Sequence, residues 1–296
     1  MKDITPQDLA NNLKLAAKRD EAHRSTVRIK QHTIGADQFT VIAGPCAVES
    51  REQIMEIAEQ VKAMGAHLLR DGAFKLLTFP YRSERMFELG EEGLRYLREA
   101  GDRTGLPVVT EVMDVRLVSA VARYADMLQI GARNMQNFPL LEAAANAGKP
   151  VLLKRHFGSS LRDWLGAAEY LLYHGNAAVV LCERGVAAPH THSPASRSIV
   201  DLQVVPAAQE YTHLPIIVDP SHATFRRRYV APVARAALAI GADGILVDVH
   251  PRPDQAAVDP LQALDYQAFG QLMRQLEAIA PAVGKRMGEE TPARIS

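Results

Sequence analysis

The stretch FTVIAGPCAVESREQIMEIAEQVKAMGAHLLRDGAF, residues 39–74, holds one full structural cycle and the opening of the next. FTVIAG is a short apolar, β-branched run that reads as a buried strand. REQIMEIAEQVKAMG follows with helical periodicity and ends in Gly65, a glycine suited to a helix cap and a short return turn. HLLRDGAF is then a second strand. Between the first strand and the helix, GPCAVES sets Cys46 at the strand mouth, in a chain with only one other cysteine, Cys182.

The cycle recurs along the chain. After FTVIAG and HLLRDGAF come PVVTEVM, MLQIGA, PVLLKR, AVVLCE, PIIVDPSH and GILVDVH, each followed by a stretch of helical periodicity. Eight β/α units of this even spacing match the usual size of a (β/α)8 TIM barrel better than an open doubly wound sheet. The expected organisation is an α/β protein with a single (β/α)8 barrel over 39–282. Residues 1–38 form a short N-terminal extension, with PQDLANNLKLAAKRDEAHR as a helix and STVRIKQHTIGADQFT as a hairpin or barrel-bottom cap. Residues 283–296 are a polar tail. The extension is too short for a separate sensing domain.

Lys and Arg number 34 against 34 Asp and Glu, so the formal net charge is zero and nothing favours nucleic acid or an anionic membrane. Two cysteines cannot make a disulfide framework, and the first twenty residues lack the apolar centre of a signal peptide. No apolar run approaches the roughly 20 residues that span a bilayer. A soluble, cytoplasmic protein is expected.

In a barrel of this kind the chemistry sits at the carboxyl ends of the strands. Those ends carry Cys46, Lys75, Glu111, Arg133, Lys154 with Arg155, Glu183 with Arg184, Asp219 with His222, and Asp248 with His250. Arg133, Lys154, Arg155, Arg184 and Lys75 would put several fixed cations in one mouth, suited to phosphate or carboxylate. The alternative is that they pair with Glu111, Glu183 and Asp219. Cys46, His222, Asp248 and Asp259 combine a thiolate, an imidazole and two carboxylates, a set able to hold a divalent transition metal such as Mn, Fe, Co or Zn. The plain alternative for Cys46 is a small buried hydrophobe.

The motifs IAGPCAVES, LLRDGAFK, VVTEV, QIGARNMQNF, VLLKR, LCERG, PIIVDPSHA and VDVHPRPDQAAVD, in that order, resemble the 3-deoxy-heptulosonate-7-phosphate (DAHP) synthase family. The likeness is to its short branch, related to the 3-deoxy-octulosonate-8-phosphate (KDO8P) synthases, and runs from about Val41 to Ala280. It implies that C3 of phosphoenolpyruvate attacks the aldehyde of an aldose phosphate, water adds at C2, and phosphate leaves by carbon–oxygen cleavage. It also implies a divalent metal held by Cys46, His222, Asp248 and Asp259, and a homodimer or homotetramer. Arg133 and Arg184 would face the phosphate of phosphoenolpyruvate and Lys154 its carboxylate or phosphate. Lys75 would lie beside the reacting atoms, and Glu111 would hold a water or the basic cluster.

Departures from the family pattern concentrate on the aldehyde side. KLLTFPY replaces Lys-Pro-Arg-Thr, so Leu77 stands where an arginine would grip the sugar phosphate, with Arg82 and Arg85 as candidate substitutes. HTHSPASRSIVDL replaces the loop after the sixth strand, with Arg197 as a candidate substrate contact and His190 and His192 as a His-x-His pair. Asp71 stands for Gly, and Asp248 for the usual, longer Glu. One of Arg226, Arg227 and Arg228 is expected at the pocket or a subunit neighbour. The leading function is DAHP synthase with erythrose 4-phosphate as acceptor. The alternatives are the same chemistry on another aldehyde, including a KDO8P synthase-like activity, and a non-catalytic phosphoenolpyruvate-binding barrel.

Overall fold

A computed structural model describes residues 4–74, 88–189 and 198–288. A two-stranded antiparallel ribbon, β1 (Val27–Ile29) and β2 (His32–Ile34), precedes the barrel. The barrel strands are β3 (Thr40–Gly44), β4 (Leu68–Asp71), β5 (Val108–Glu111), β6 (Met127–Ile130), β7 (Val151–Lys154), β8 (Val179–Glu183), β9 (Ile216–Val218) and β10 (Gly244–Asp248). They are parallel and follow chain order around a closed ring in which β10 pairs with β3, Gly244 facing Thr40 and Asp248 facing Gly44. The expected TIM barrel is present.

Each barrel strand is followed by a helix that lies outside it and buries one face. The helix Arg51–Ala63 starts at Ser50, whose hydroxyl accepts from the Gln53 amide, and it buries Ile54, Met55, Ile57, Ala58 and Val61. Side chains alternate along the strands, so Val41 and Ala43 join this outer core while Ile42 points into the barrel. The interior is filled by Ile42, Leu68, Val109, Met127, Leu152, Val180, Ile217 and Leu246, one from each strand. Burying each such side chain contributes roughly 1.5–3 kcal/mol relative to leaving it in water. The barrel is a packed core.

The ribbon closes the amino-terminal end. Val27, Ile29 and Ile34 pack into the interior cluster, and Thr40 Oγ1 donates to the Thr33 carbonyl at 3.3 Å. Here the sequence expectation was half right, because the hairpin forms but the helix spans only Pro6–Asn11. Beyond it the chain finds other partners. Leu15 and Ala16 donate their amides to the Glu169 carboxylate, the Thr212 hydroxyl donates to the Ala16 carbonyl, and Ala17 bridges to Thr212. Those tertiary bonds replace the intrahelical ones that amphipathic spacing suggested.

Candidate active site

The same alternation that fills the interior with apolar groups puts a polar layer two residues further along. Leu68, Val109, Met127, Leu152, Ile217 and Leu246 are followed at that interval by Arg70, Glu111, Gln129, Lys154, Asp219 and Asp248. These six groups gather where the strands end at the carboxyl mouth. Glycines make room for them. A Cβ on Gly44 would lie 2.1 Å from the Arg70 carbonyl oxygen, and one on Gly131 would lie 2.0 Å from Glu111 Oε1.

Four side chains from three regions of the chain converge at this mouth. Cys46 follows the Gly-Pro turn after β3, His222 sits in the short helix Pro220–Thr224, Asp248 ends β10, and Asp259 comes from the loop beyond it. One ligand atom from each lies within 4.8 Å of the others. Cys46 Sγ is 3.2 Å from Asp259 Oδ2 and 3.9 Å from His222 Nε2, which is itself 3.6 Å from Asp259 Oδ2. Asp259 has φ +54°, an uncommon backbone state for a residue with a side chain. Its loop is tied down on both sides: Glu49 accepts from the Ala257 amide, and Arg227 donates to the carbonyls of Pro260 and Ala263 and to Asp254. Arg227 thus serves the loop, whereas sequence alone placed one of Arg226, Arg227 and Arg228 at the pocket or a subunit neighbour.

The two imidazole nitrogens of His222 face different neighbours. Nε2 turns to Cys46 and Asp259, while Nδ1 lies 2.9 Å from Asp219 Oδ2 and 3.8 Å from Asp248 Oδ2. Burial disfavours a charged ring, yet the Asp219 and Asp248 carboxylates outweigh it and raise His222 to about 10. Burial likewise works to raise Asp219, and His222 with Lys154 hold it well below the usual carboxylate range. His222 must therefore shed a proton before Nε2 can act as a ligand. Donor types, convergence and a carboxylate behind the imidazole fit a divalent metal.

Asp248 is fully buried and gripped on both oxygens, by Arg70 Nη1 at 2.7 Å and Gln262 Nε2 at 2.6 Å. Burial opposes the Arg70 charge, but Asp248, Cys46 and Asp219 overcome it and hold that guanidinium firmly protonated. Neither Arg70 nor Gln262 is among the residues singled out from sequence. For Arg70 the signal was available, since it stands two residues after inward-facing Leu68.

The expected cations divide. Lys154 Nζ, nearly buried, donates to Asp219 Oδ2 at 2.6 Å, and Arg184 Nη2 donates to the His222 carbonyl at 3.1 Å, so both stand against the metal-ligand group. Glu111 accepts from Gln129 at the foot of the turn that carries exposed Arg133 in the helix Ala132–Asn134. Arg155 is turned elsewhere: it donates to Glu183, Asp201 and the Ser159 carbonyl and lies over the Trp164 ring. Arg155 thus pairs as the alternative had it, while Lys154 pairs with Asp219 directly beside His222 at the mouth. Cys182 lies in the apolar interior, where burial pushes its thiol up and out of reach of ionisation. Lys75, Leu77, Arg82, Arg85, His190, His192 and Arg197 lie outside the described residues.

Residues 16–283 match the DAHP synthetase I family. A relative from Thermotoga maritima, a phospho-2-dehydro-3-deoxyheptonate aldolase, is 44% identical over 274 residues, covering 93% of this chain and 79% of its own. A 2-dehydro-3-deoxyphosphooctonate aldolase from Magnetococcus marinus is 30% identical over 269 residues, covering 86% and 90%. Among solved structures, the Thermotoga maritima enzyme superposes with a TM-score of 0.86 at 43% identity, over 93% of this chain and 78% of that one. A truncated form of a Thermotoga maritima 3-deoxy-D-arabino-heptulosonate 7-phosphate synthase gives 0.85 at 42%, over 94% and 100%. No helix among the described residues is long and apolar enough to cross a membrane.

Proposed function

The chain belongs to the DAHP synthetase I family, and on that premise we propose that it condenses phosphoenolpyruvate with erythrose 4-phosphate. The enol C3 forms a bond to the aldehyde carbon, whose oxygen takes a proton and becomes a hydroxyl. Water adds at C2, and the carbon–oxygen bond to the phosphate breaks, releasing inorganic phosphate. Cys46, His222, Asp248 and Asp259 would hold a divalent metal, which supplies Lewis-acid activation of the aldehyde. Lys154 and Arg184 bind and orient the anionic enol substrate and offset the charge that grows on the departing phosphate. Arg133 completes that grip from the rim, and Glu111 orders a water or the cations.

The observation that carries this reading is the four-residue ligand group lying against Lys154 and Arg184 at one strand-end mouth. Erythrose 4-phosphate is favoured as acceptor by the higher identity to the heptonate aldolase than to the octonate aldolase. Leu77, standing where the family likeness calls for a phosphate-binding arginine, favours a second reading in which the same chemistry acts on another aldehyde. A cytoplasmic homo-oligomer, dimer or tetramer, is part of the proposal.

The test is phosphate release from phosphoenolpyruvate with Mn²⁺, run against erythrose 4-phosphate, arabinose 5-phosphate, ribose 5-phosphate and unphosphorylated short aldoses. Turnover with erythrose 4-phosphate is the expected result. Turnover with another aldose alone would establish the second reading, and none with any aldose would sink both.

A further inference from the structure

Asp219 belongs to neither the metal-ligand group nor the cationic set, yet it touches both. It caps the helix Pro220–Thr224, where its Oδ1 accepts from the His222 amide at 2.9 Å. Its Oδ2 takes Lys154 Nζ at 2.6 Å and faces His222 Nδ1 at 2.9 Å. The side chain is fully buried, and its amide donates to the Glu183 carbonyl on β8 at 2.7 Å, so the carboxylate stands on the barrel wall itself. A single oxygen thereby meets a metal-ligand imidazole on one side and an anion-binding ammonium on the other. Lys154 is itself only 4% exposed, and burying an ammonium is tolerable only while a partner holds it.

From this geometry we propose that Asp219 is the positioning residue common to both halves of the site. It orients the His222 ring so that Nε2 faces Cys46 and Asp259, and it holds the Lys154 ammonium in place for the enol substrate. Metal and phosphoenolpyruvate are consequently coupled through one carboxylate. Arg70 and Gln262 make the contrast, because both reach Asp248 and so serve the metal half. The inference rests on the functional reading above for the identity of the anion.

The test uses metal-stripped full-length chain, with Co²⁺ binding followed by absorption and phosphoenolpyruvate binding by calorimetry. Asp219→Asn is expected to weaken both by about 10-fold or more, the scale on which loss of a carboxylate behind a ligating histidine acts. Gln262→Leu is expected to weaken Co²⁺ alone. Loss of only one ligand's affinity in Asp219→Asn, or of neither, would overturn the proposal.

Lys154→Gln read by itself covers the case in which Asp219→Asn is too unstable, and a cycle of the two is a further check where both fold. Lys154 offers no metal ligand, yet Lys154→Gln is expected to change Co²⁺ affinity by about threefold or more, and to change it far less in the Asp219→Asn background. An unchanged affinity in the single variant, or an equal change in both backgrounds, would contradict coupling through this carboxylate. A chain that bound both ligands in this coupled way and released no phosphate with any aldose would refute the functional reading while leaving the inference standing.

Discussion

The two ends of the barrel are built on one strand pattern and carry opposite chemistry. At the amino end, Val27, Ile29 and Ile34 of the ribbon meet the apolar interior and exclude water. At the carboxyl end, two residues further along the same strands, Arg70, Glu111, Lys154, Asp219 and Asp248 replace hydrocarbon with charge. The difference teaches that stability and function occupy separate layers here, so damage to one end should leave the other's property largely intact.

The sharpest break in that division is expected at the mouth. Lewis-acid activation is worth several kcal/mol, so Cys46→Ser should lower phosphate release by about 10³-fold at limiting metal, with little change in melting temperature. Cys182→Ser should leave turnover nearly unaltered, since its thiol lies in the apolar interior. Equal activity losses in the two variants, measured at saturating substrates, would remove Cys46 from the ligand set.

The converse experiment is at the other end. Ile34→Ala removes a fully buried side chain from the ribbon and should destabilise the protein by about 3 kcal/mol in urea unfolding. Its kcat/KM at a temperature where it stays folded should match that of the unaltered chain. A large loss of kcat/KM would mean that the plug shapes the mouth.

Arg184→Ala tests the anion half. A hydrogen bond to a charged group contributes about 1.5–3 kcal/mol, so the KM for phosphoenolpyruvate should rise by about 10-fold or more. Arg155→Ala should act mainly on stability, because its partners are Glu183, Asp201 and a backbone carbonyl. A selective rise in KM from Arg155→Ala would return that residue to the substrate.

The smallest effect concerns His67, which is buried near the ribbon and accepts from the Val41 amide at 2.9 Å. Burial, with His32 and Lys62 nearby, lowers it to about 4. The unfolded chain therefore takes up the proton first. The contribution of His67 to stability is complete above its ordinary value near 6.5 and is lost as pH falls towards 4. Between about pH 7 and about pH 5.5 the loss is about 1 kcal/mol, and His67→Gln should remove that part of the slope in urea titrations.

Much of this was legible in the sequence, because a barrel strand and its helix are local objects. FTVIAG and REQIMEIAEQVKAMG became β3 and the helix Arg51–Ala63 at nearly the expected bounds. Three members of the Cys46, His222, Asp248 and Asp259 cluster were foreseeable from their places at or just past a strand end, whereas Asp259 lies in the loop well beyond β10 and matched through the family resemblance. Arg70 needed one more step, counting inward positions in twos from Leu68, and Asp219 was named at its strand end but only as a partner for the cations. Arg155 could not be assigned, because its partners Glu183 and Asp201 reach it only through the closed ring and the packing of the following loop. The segment after Asn11 misled for the same reason: Glu169 and Thr212 are distant in sequence, and their hydrogen bonds decide its conformation.

The most direct test of the metal centre is a Co²⁺ titration of metal-stripped chain, read through thiolate-to-cobalt absorption, in the unaltered protein and in Cys46→Ser. The account predicts saturation at one equivalent, with phosphate release returning in step, and loss of the thiolate band in the variant. An unaltered band in Cys46→Ser, or full phosphate release from the metal-stripped chain, would contradict it.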